Sequence, residues 1–166
     1  MKKYPTQEEV QYYFTYENGK LYWKNTTKHS IKVGDLAGTI VKNKFGNYYR
    51  IGLNGSCYLM HRLIYIYFNG EIPSGMYIDH INGNSLNNNI ENLRICNKYQ
   101  NQYNSKKSSV NTSGIKGITF ENKKWRCRCR VNGKKYHVGF YDDINEAKLA
   151  VENFRKLHHG EFSRHS

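Results

Sequence analysis

Residues 78–104 read IDHINGNSLNNNIENLRICNKYQNQYN, and the rest of the chain is arranged around them. The stretch continues a short apolar strand, Met76-Tyr77-Ile78, and sets the pair Asp79-His80 directly behind it. A turn-rich segment follows, with Asn82-Gly83-Asn84 and then Asn87-Asn88-Asn89. Apolar residues return at Ile90, Leu93 and Ile95, and a helix is predicted from Asn97 to about Ser105. So small a strand–turn–strand–helix unit buries little apolar surface, so chemistry rather than a core must account for it.

A carboxylate beside an imidazole divides the labour of hydrolysis. Asp79 suits a divalent cation, and His80 suits removal of a proton from water. Neighbouring strand residues point to opposite faces, so the two side chains diverge unless a turn or a distorted strand re-aims one. A second protein ligand is expected from the following helix, where Asn101 lies one turn in and offers a hard amide oxygen. Asp plus Asn is an all-oxygen pair, which favours Mg²⁺ or Mn²⁺ over zinc. For Asn84, Asn87, Asn88 and Asn89 the simpler reading holds, that Asn was chosen for turn geometry.

These residues resemble the HNH, or ββα-metal, nuclease family, in particular the phage and intron-encoded homing endonucleases. The likeness rests on Asp79-His80-Ile81-Asn82-Gly83-Asn84 and on Asn88-Asn89-Ile90-Glu91-Asn92-Leu93-Arg94. The resemblance implies that His80 is the general base and that Asn92 is structural, tying the two strands together. It implies metal ligation by Asp79 and by Asn101, nine positions after Asn92. Arg94 is expected to add a phosphate contact. Paired CxxC motifs are lacking, so no structural zinc is expected.

The chain has 166 residues and a formal charge of +13, from 26 Lys+Arg against 13 Asp+Glu. The charge is spread along the chain, and a field of this sign attracts polyanions, nucleic acid first and an anionic membrane surface second. No apolar run is long enough to span a bilayer, and the start, Met-Lys-Lys-Tyr-Pro-Thr, lacks the apolar core of a signal peptide. Cys57, Cys96, Cys127 and Cys129 have neither disulfide-rich density nor metal-ligand spacing, which fits a reducing cytoplasm; the resemblance implies that of a phage-infected bacterial host.

Ahead of the central stretch, residues 1–58 read as a small β-rich region. Thr6 and Glu9 form a capping-box pattern at the start of a short helix bearing Val10, Tyr13 and Phe14. Asn18-Gly19 and Asn54-Gly55 are hairpin turns. Strands are predicted at 14–16, 21–23, 35–41, 48–53 and 56–59. Tyr22, Tyr48 and Tyr49 suit stacking on nucleotides or filling the sheet's core, and Trp23 suits the core. His61 to Asn69 reads as a buried helix through Leu63, Ile64, Tyr67 and Phe68, with His61 and Arg62 placed to face DNA. Residues 59–104 make the nuclease core, and 105–113 a polar, basic linker whose Lys106 and Lys107 suit phosphate contacts.

Residues 114–166 form a second module: strands at 115–121, 125–131 and 134–140, then a helix. Trp125, Cys127, Cys129 and Val131 point one way, and Arg126, Arg128 and Arg130 the other. Tyr136, Val138 and Phe140 are expected inward, and Lys135 and His137 outward. Asp143 caps the helix, with Glu146 completing a capping box, and Ala147, Ala150, Val151 and Phe154 make its apolar stripe. Gly160 is expected to end it. Three arginines on one strand face without acid partners repel one another unless an anion intervenes.

This module resembles the plant Apetala-type, or ethylene-response-factor, DNA-binding domain. The matching residues are Gly114-Ile115-Lys116-Gly117-Ile118, Lys124-Trp125-Arg126, the Val131-Asn132-Gly133-Lys134-Lys135 turn, Val138-Gly139-Phe140-Tyr141 and Glu146-Ala147. In that family the exposed sheet face reads the major groove. Carried over by alternation, the resemblance implies DNA contacts from Thr119, Glu121, Arg126, Arg128, Arg130, Lys135 and His137, the last at a position where the plant proteins often carry an aromatic.

The sequence therefore predicts an α+β chain: a small N-terminal β-rich region, a ββα-metal nuclease core, and a three-stranded antiparallel sheet packed on one helix. The expected function is that of a metal-dependent endonuclease, a homing endonuclease, acting on double-stranded DNA as a monomer and independent of membranes. The competing reading is a sequence-specific DNA-binding regulator without catalysis, for which the second module alone would suffice. An RNA-binding role is disfavoured because an A-form major groove is too narrow for a sheet.

Overall fold

The structure, a computed structural model, describes residues 4–26, 30–43, 46–105 and 111–164. It divides into two compact units, residues 1–96 and 97–166. Both mix helix and sheet, so the chain is α+β.

In the first unit, helix α1 (Gln7–Tyr13) starts at Thr6, whose Oγ accepts the Glu9 N–H at 3.2 Å while the Glu9 carboxylate accepts the Thr6 N–H at 2.8 Å. Two of the orphan donors of the first turn are thereby satisfied. The chain passes straight into β1 (Phe14–Glu17), turns at Asn18-Gly19 and returns as β2 (Lys20–Trp23). Both turn residues have positive φ, 46° and 74°, as a two-residue hairpin of the type I′ class requires.

A second sheet is the meander β3 (Thr39–Asn43), β4 (Gly46–Leu53) and β5 (Ser56–Leu59). The strand expected from residue 35 begins four residues later. Leu36 makes only an isolated bridge to Tyr22, and Gly38, at φ +88°, turns the chain against the backbone of Arg50, where a Cβ would not fit.

Helix α2 (Met60–Asn69) follows β5 without a loop and is the centre of the core. Met60, Leu63, Ile64 and Ile66 are fully buried, joined by Val10, Phe14, Leu21 and Ile51. The ribbon β6 (Tyr77–His80) and β7 (Leu93–Cys96) adds Ile78 and Leu93 to the same cluster. The boundary expected between residues 58 and 59 thus falls inside one hydrophobic core: the N-terminal sheets and the β6–β7 ribbon are one folded body.

The second unit begins with α3 (Lys98–Tyr103), capped by Asn97, whose side chain accepts from Tyr99 and Gln100 N–H at 2.9 Å each. Its sheet runs β8 (Ile118–Glu121), β9 (Lys124–Val131) and β10 (Lys134–Tyr141), all antiparallel, with α4 (Ile144–His159) packed on one face. Asp143 caps α4. Ile118, Cys127, Cys129, Ala147 and Val151 make this second core, and Gly160, at φ +55°, ends the helix.

Two sequence expectations change here. β8 starts at Ile118 rather than Ile115, because Gly117 (φ +83°) turns the chain and its carbonyl accepts the Arg128 N–H at 2.8 Å. In β10 the register shifts between His137 and Gly139, a bulge that adds one residue. Beyond it the parity inverts. Phe140, expected inward, pairs with Arg126 and is half exposed, while Tyr141 packs against the core.

Candidate active site

Asp79 and His80 close β6, paired in register with Arg94 and Leu93 of β7. Strand alternation sends them to opposite faces, yet both are buried, at 7% and 6% exposure. Each has found its own partner. Arg94 reaches Asp79 Oδ2 through Nε and Nη2, both at 3.1 Å. Arg94, expected to contact phosphate, is engaged here by the carboxylate opposite it.

His80 Nε2 lies 2.8 Å from Asn88 Oδ1, and Asn88 is almost wholly buried. Asn88 therefore departs from the turn-residue reading, unlike its neighbours. Asn84 and Asn87 each accept a backbone N–H two residues on, as Asx-turn residues do. Nothing local marks Asn88 within a run of three asparagines; only its burial does.

A second imidazole completes the cluster. The His61 ring packs edge-on to His80 with centroids 4.9 Å apart, and Tyr48 flanks both rings at 5.8 and 6.5 Å. His61 was expected to face DNA; it is instead buried at the first turn of α2. Burial, then the nearby His80 and Arg62, holds its pKa down to about 3, so it is neutral near pH 7. Burial also lowers the His80 pKa, opposed by the Asn88 hydrogen bond and the Asp79 charge. The Tyr48 phenol is raised, first by burial and then by Asp79.

Asn92 ties the loop to the ribbon. Its Oδ1 accepts the Asn82 N–H at 3.0 Å, and its Nδ2 donates to Asn82 Oδ1 at 3.1 Å and to the Asn87 carbonyl at 2.7 Å. The N-terminal sheets support the same loop from outside. A Cβ on Gly19 would lie 2.7 Å from Asn89 Oδ1, so the β1–β2 turn sits directly on the Asn-rich loop. Tyr16 Oη accepts the Ile90 N–H at 3.3 Å, and Ser85 Oγ donates to the Asn47 carbonyl at 2.6 Å.

Asn101 lies in α3, in the second unit, and is partly buried. Among the described residues no group of three or more His, Cys, Asp or Glu side chains is placed to hold a metal ion. An Asp and Asn oxygen pair nevertheless has the chemistry of a hard divalent-ion site, where water and phosphate complete the coordination.

The residues expected to meet DNA lie on the sheet of the second unit. Thr119 is opposite Arg126, Lys135 opposite Arg130, and His137 opposite Arg128. Arg128, Arg130, Lys135 and His137 are exposed. Arg126 is not without an acid partner: its Nη1 meets Glu121 Oε1 at 2.5 Å. Phe140 joins this face through the bulge, its ring 4.7 Å from His137. Lys106 and Lys107 lie outside the described residues.

The family model for HNH endonucleases matches residues 58–103, which contain the whole Asp79–His80–Asn88–Asn92 cluster. This class, the HNH-type DNA endonuclease, is what the domain defines. Protein 3.8 of Escherichia phage T7 is 39% identical over 98 residues, covering 58% of this chain and 80% of that protein. The chain belongs to the family of that phage protein and carries an HNH endonuclease domain.

An uncharacterized HNH endonuclease of Acanthamoeba polyphaga mimivirus is 44% identical over 66 residues, 39% of this chain and 35% of the relative. YosQ, an SPbeta prophage-derived protein of Bacillus subtilis (strain 168) whose name describes an HNH homing endonuclease, is 50% identical over 44 residues, 26% of this chain and 25% of the relative. The chain thus spans a minor part of these last two. No solved structure matches it. Among the described residues no helix is long and apolar enough to cross a membrane.

Proposed function

We propose that the protein hydrolyses phosphodiester bonds of double-stranded DNA with His80 as general base, using a divalent ion of the Mg²⁺ or Mn²⁺ kind held by Asp79 and Asn101. The observation that carries this reading is the His80–Asn88 hydrogen bond, which fixes a buried imidazole beside a buried carboxylate. HNH endonucleases use divalent metal ions. When bound, such an ion stabilises the charge that develops on the scissile phosphate and its leaving oxygen. The part of Asn101 rests on its interval from Asn92 and on its oxygen chemistry.

The chain's own residues do the rest. Asn88 Oδ1 accepts from Nε2–H, which assigns the ring proton to Nε2 and leaves Nδ1 as the basic atom. His80 Nδ1 takes a proton from water as the water oxygen bonds to phosphorus and the bond to the 3′ oxygen breaks. Neutral His61 packs the ring in place without adding a competing charge. Arg94 orients the Asp79 carboxylate through Nε and Nη2. Asn92 keeps the loop carrying Asn88 registered on the ribbon.

The exposed sheet of residues 114–166 supplies site selection. Its resemblance to the plant Apetala-type domain, and its face of Arg128, Arg130, Lys135 and His137, support this role. A homing endonuclease is the best-fitting subclass, given that resemblance and the name of the Bacillus relative. Incubation with supercoiled plasmid and Mg²⁺, with and without EDTA, tests the catalytic reading. Wild type is expected to cut only with the ion, and His80→Ala to bind DNA without cutting. Cleavage by His80→Ala at a rate comparable with wild type would remove His80 from the mechanism.

A further inference from the structure

We infer that the second unit carries a pocket for a phosphate group, formed by Lys116, Arg128, Arg130, Lys135, Arg155 and His159, of which Arg128, Arg130 and Lys135 also belong to the sheet face proposed above to meet DNA. A cavity of about 560 Å³ is lined by these residues and by no aspartate or glutamate. That volume suits a nucleotide-sized group rather than a lone ion.

The chemistry of the lining singles out an anion. Arg155 sits on α4 at 3% exposure, in contact with no carboxylate that the structure places beside it. Its Nη2 donates to the Lys116 carbonyl, while its Nη1 is buried without a hydrogen bond. His159 Nε2 pairs with the Arg130 carbonyl at 2.8 Å, and its Nδ1 is likewise buried without a partner. Buried polar groups are almost always satisfied, so the unsatisfied guanidinium nitrogen of an arginine that lines a basic cavity calls for an acceptor. A phosphate oxygen accepts from the Arg155 guanidinium, whereas the His159 ring, its Nε2–H given to the Arg130 carbonyl and its pKa lowered first by burial, holds no proton at Nδ1 when neutral.

The pocket is built, not merely basic. Lys116 Nζ donates to the Tyr103 and Ser105 carbonyls at 2.9 and 2.7 Å, which fixes its ammonium. Tyr103 stacks on the His159 ring at 3.8 Å and 6°, and its hydroxyl accepts the Asn132 N–H at 2.7 Å. Burial, and then Arg155 and Arg164, lowers the Lys116 pKa to about 8. The phosphate belongs either to a bound DNA backbone or to a free phosphate ester. Only the first source rests on the DNA-binding reading above.

The test uses the full chain and inorganic phosphate, titrated at constant ionic strength against chloride. The Arg155 side-chain Nε–H and the His159 imidazole signals are followed by NMR. Saturable shifts at both residues are expected, and Lys135→Gln, a change at an exposed position, should weaken binding roughly tenfold, the loss of one charge-assisted contact. Arg155→Gln, if folded by circular dichroism, should abolish the shift at His159. Absence of saturable shifts in wild type overturns the inference, as does an unchanged titration in the folded Arg155→Gln variant. Duplex affinity is then measured with and without saturating phosphate. Weakened duplex binding assigns the pocket to a backbone phosphate, and unchanged binding assigns it to a free ester. Plasmid cutting in EDTA and Mg²⁺ reports on the nuclease reading independently.

Discussion

His80 Nε2 and Asn88 Oδ1 stand 2.8 Å apart, both side chains buried, one at the end of a strand and the other in the loop that follows it. Under the proposed mechanism this bond selects the tautomer of the base and aims its ring, and Asn88 acts through His80 rather than on the substrate.

Replacing Asn88 by Ala should slow cleavage by roughly 10²-fold, within the range of general-base effects, with DNA binding retained. Asn88→Asp restores an acceptor and adds a negative charge beside the imidazole, which raises the His80 pKa. The acid limb of the pH–rate profile should therefore move to higher pH in Asn88→Asp. A merely structural asparagine would leave that limb in place.

The Asp79–Arg94 pair joins a buried carboxylate to a partly buried guanidinium, with side chains 8% and 13% exposed. Removing the arginine takes the charged partner from a buried carboxylate, at a cost of up to about 3–5 kcal/mol. Arg94→Met should lower the urea midpoint accordingly, and adding Asp79→Asn should restore part of the loss. Fully additive single changes in this double-mutant cycle would show that the two groups do not interact.

His61 links stability to pH. An unfolded imidazole takes up a proton near pH 6.5, whereas the folded ring resists until about 3. The contribution of this group is thus complete above the unfolded pKa, falls as pH drops below it, and levels off only below the folded value. Urea unfolding should show wild type losing more stability between neutral pH and pH ~4 than His61→Leu does. Parallel losses in the two proteins would count against a buried neutral His61.

Gly19 tests the support that the N-terminal hairpin gives the site. At φ +74°, and with a Cβ placed 2.7 Å from Asn89 Oδ1, Gly19→Ala is disfavoured by both backbone and contact. A loss of roughly 1–2 kcal/mol from the left-handed backbone alone is expected, together with slower cutting, because the displaced loop carries Asn88. A stability change without any change in rate would mean that the hairpin does not set the position of Asn88.

Much of this protein follows from interactions spanning a few residues, and those were legible before any coordinates. The Thr6 and Asp143 caps and the Asn18-Gly19, Asn54-Gly55 and Asn132-Gly133 turns lie in local patterns, and the proposed set Asp79, His80, Asn92 and Asn101 was drawn from fixed intervals. What needed the tertiary structure lies in contacts between distant segments. His61 and Tyr48 meet His80 only because α2 and β4 pack beside the β6–β7 ribbon. Arg94 reads as a free cation until the ribbon's register sets it against Asp79. The bulge before Gly139 inverts a strand's parity by one residue, and composition carries no mark of it. Arg155 and His159 look like ordinary polar residues on α4, and their burial depends on what Lys116 and Tyr103 place over them. Short-range hydrogen bonds are written in neighbouring residues; the environment of a buried polar group depends on packing between segments remote in sequence, which no local pattern encodes.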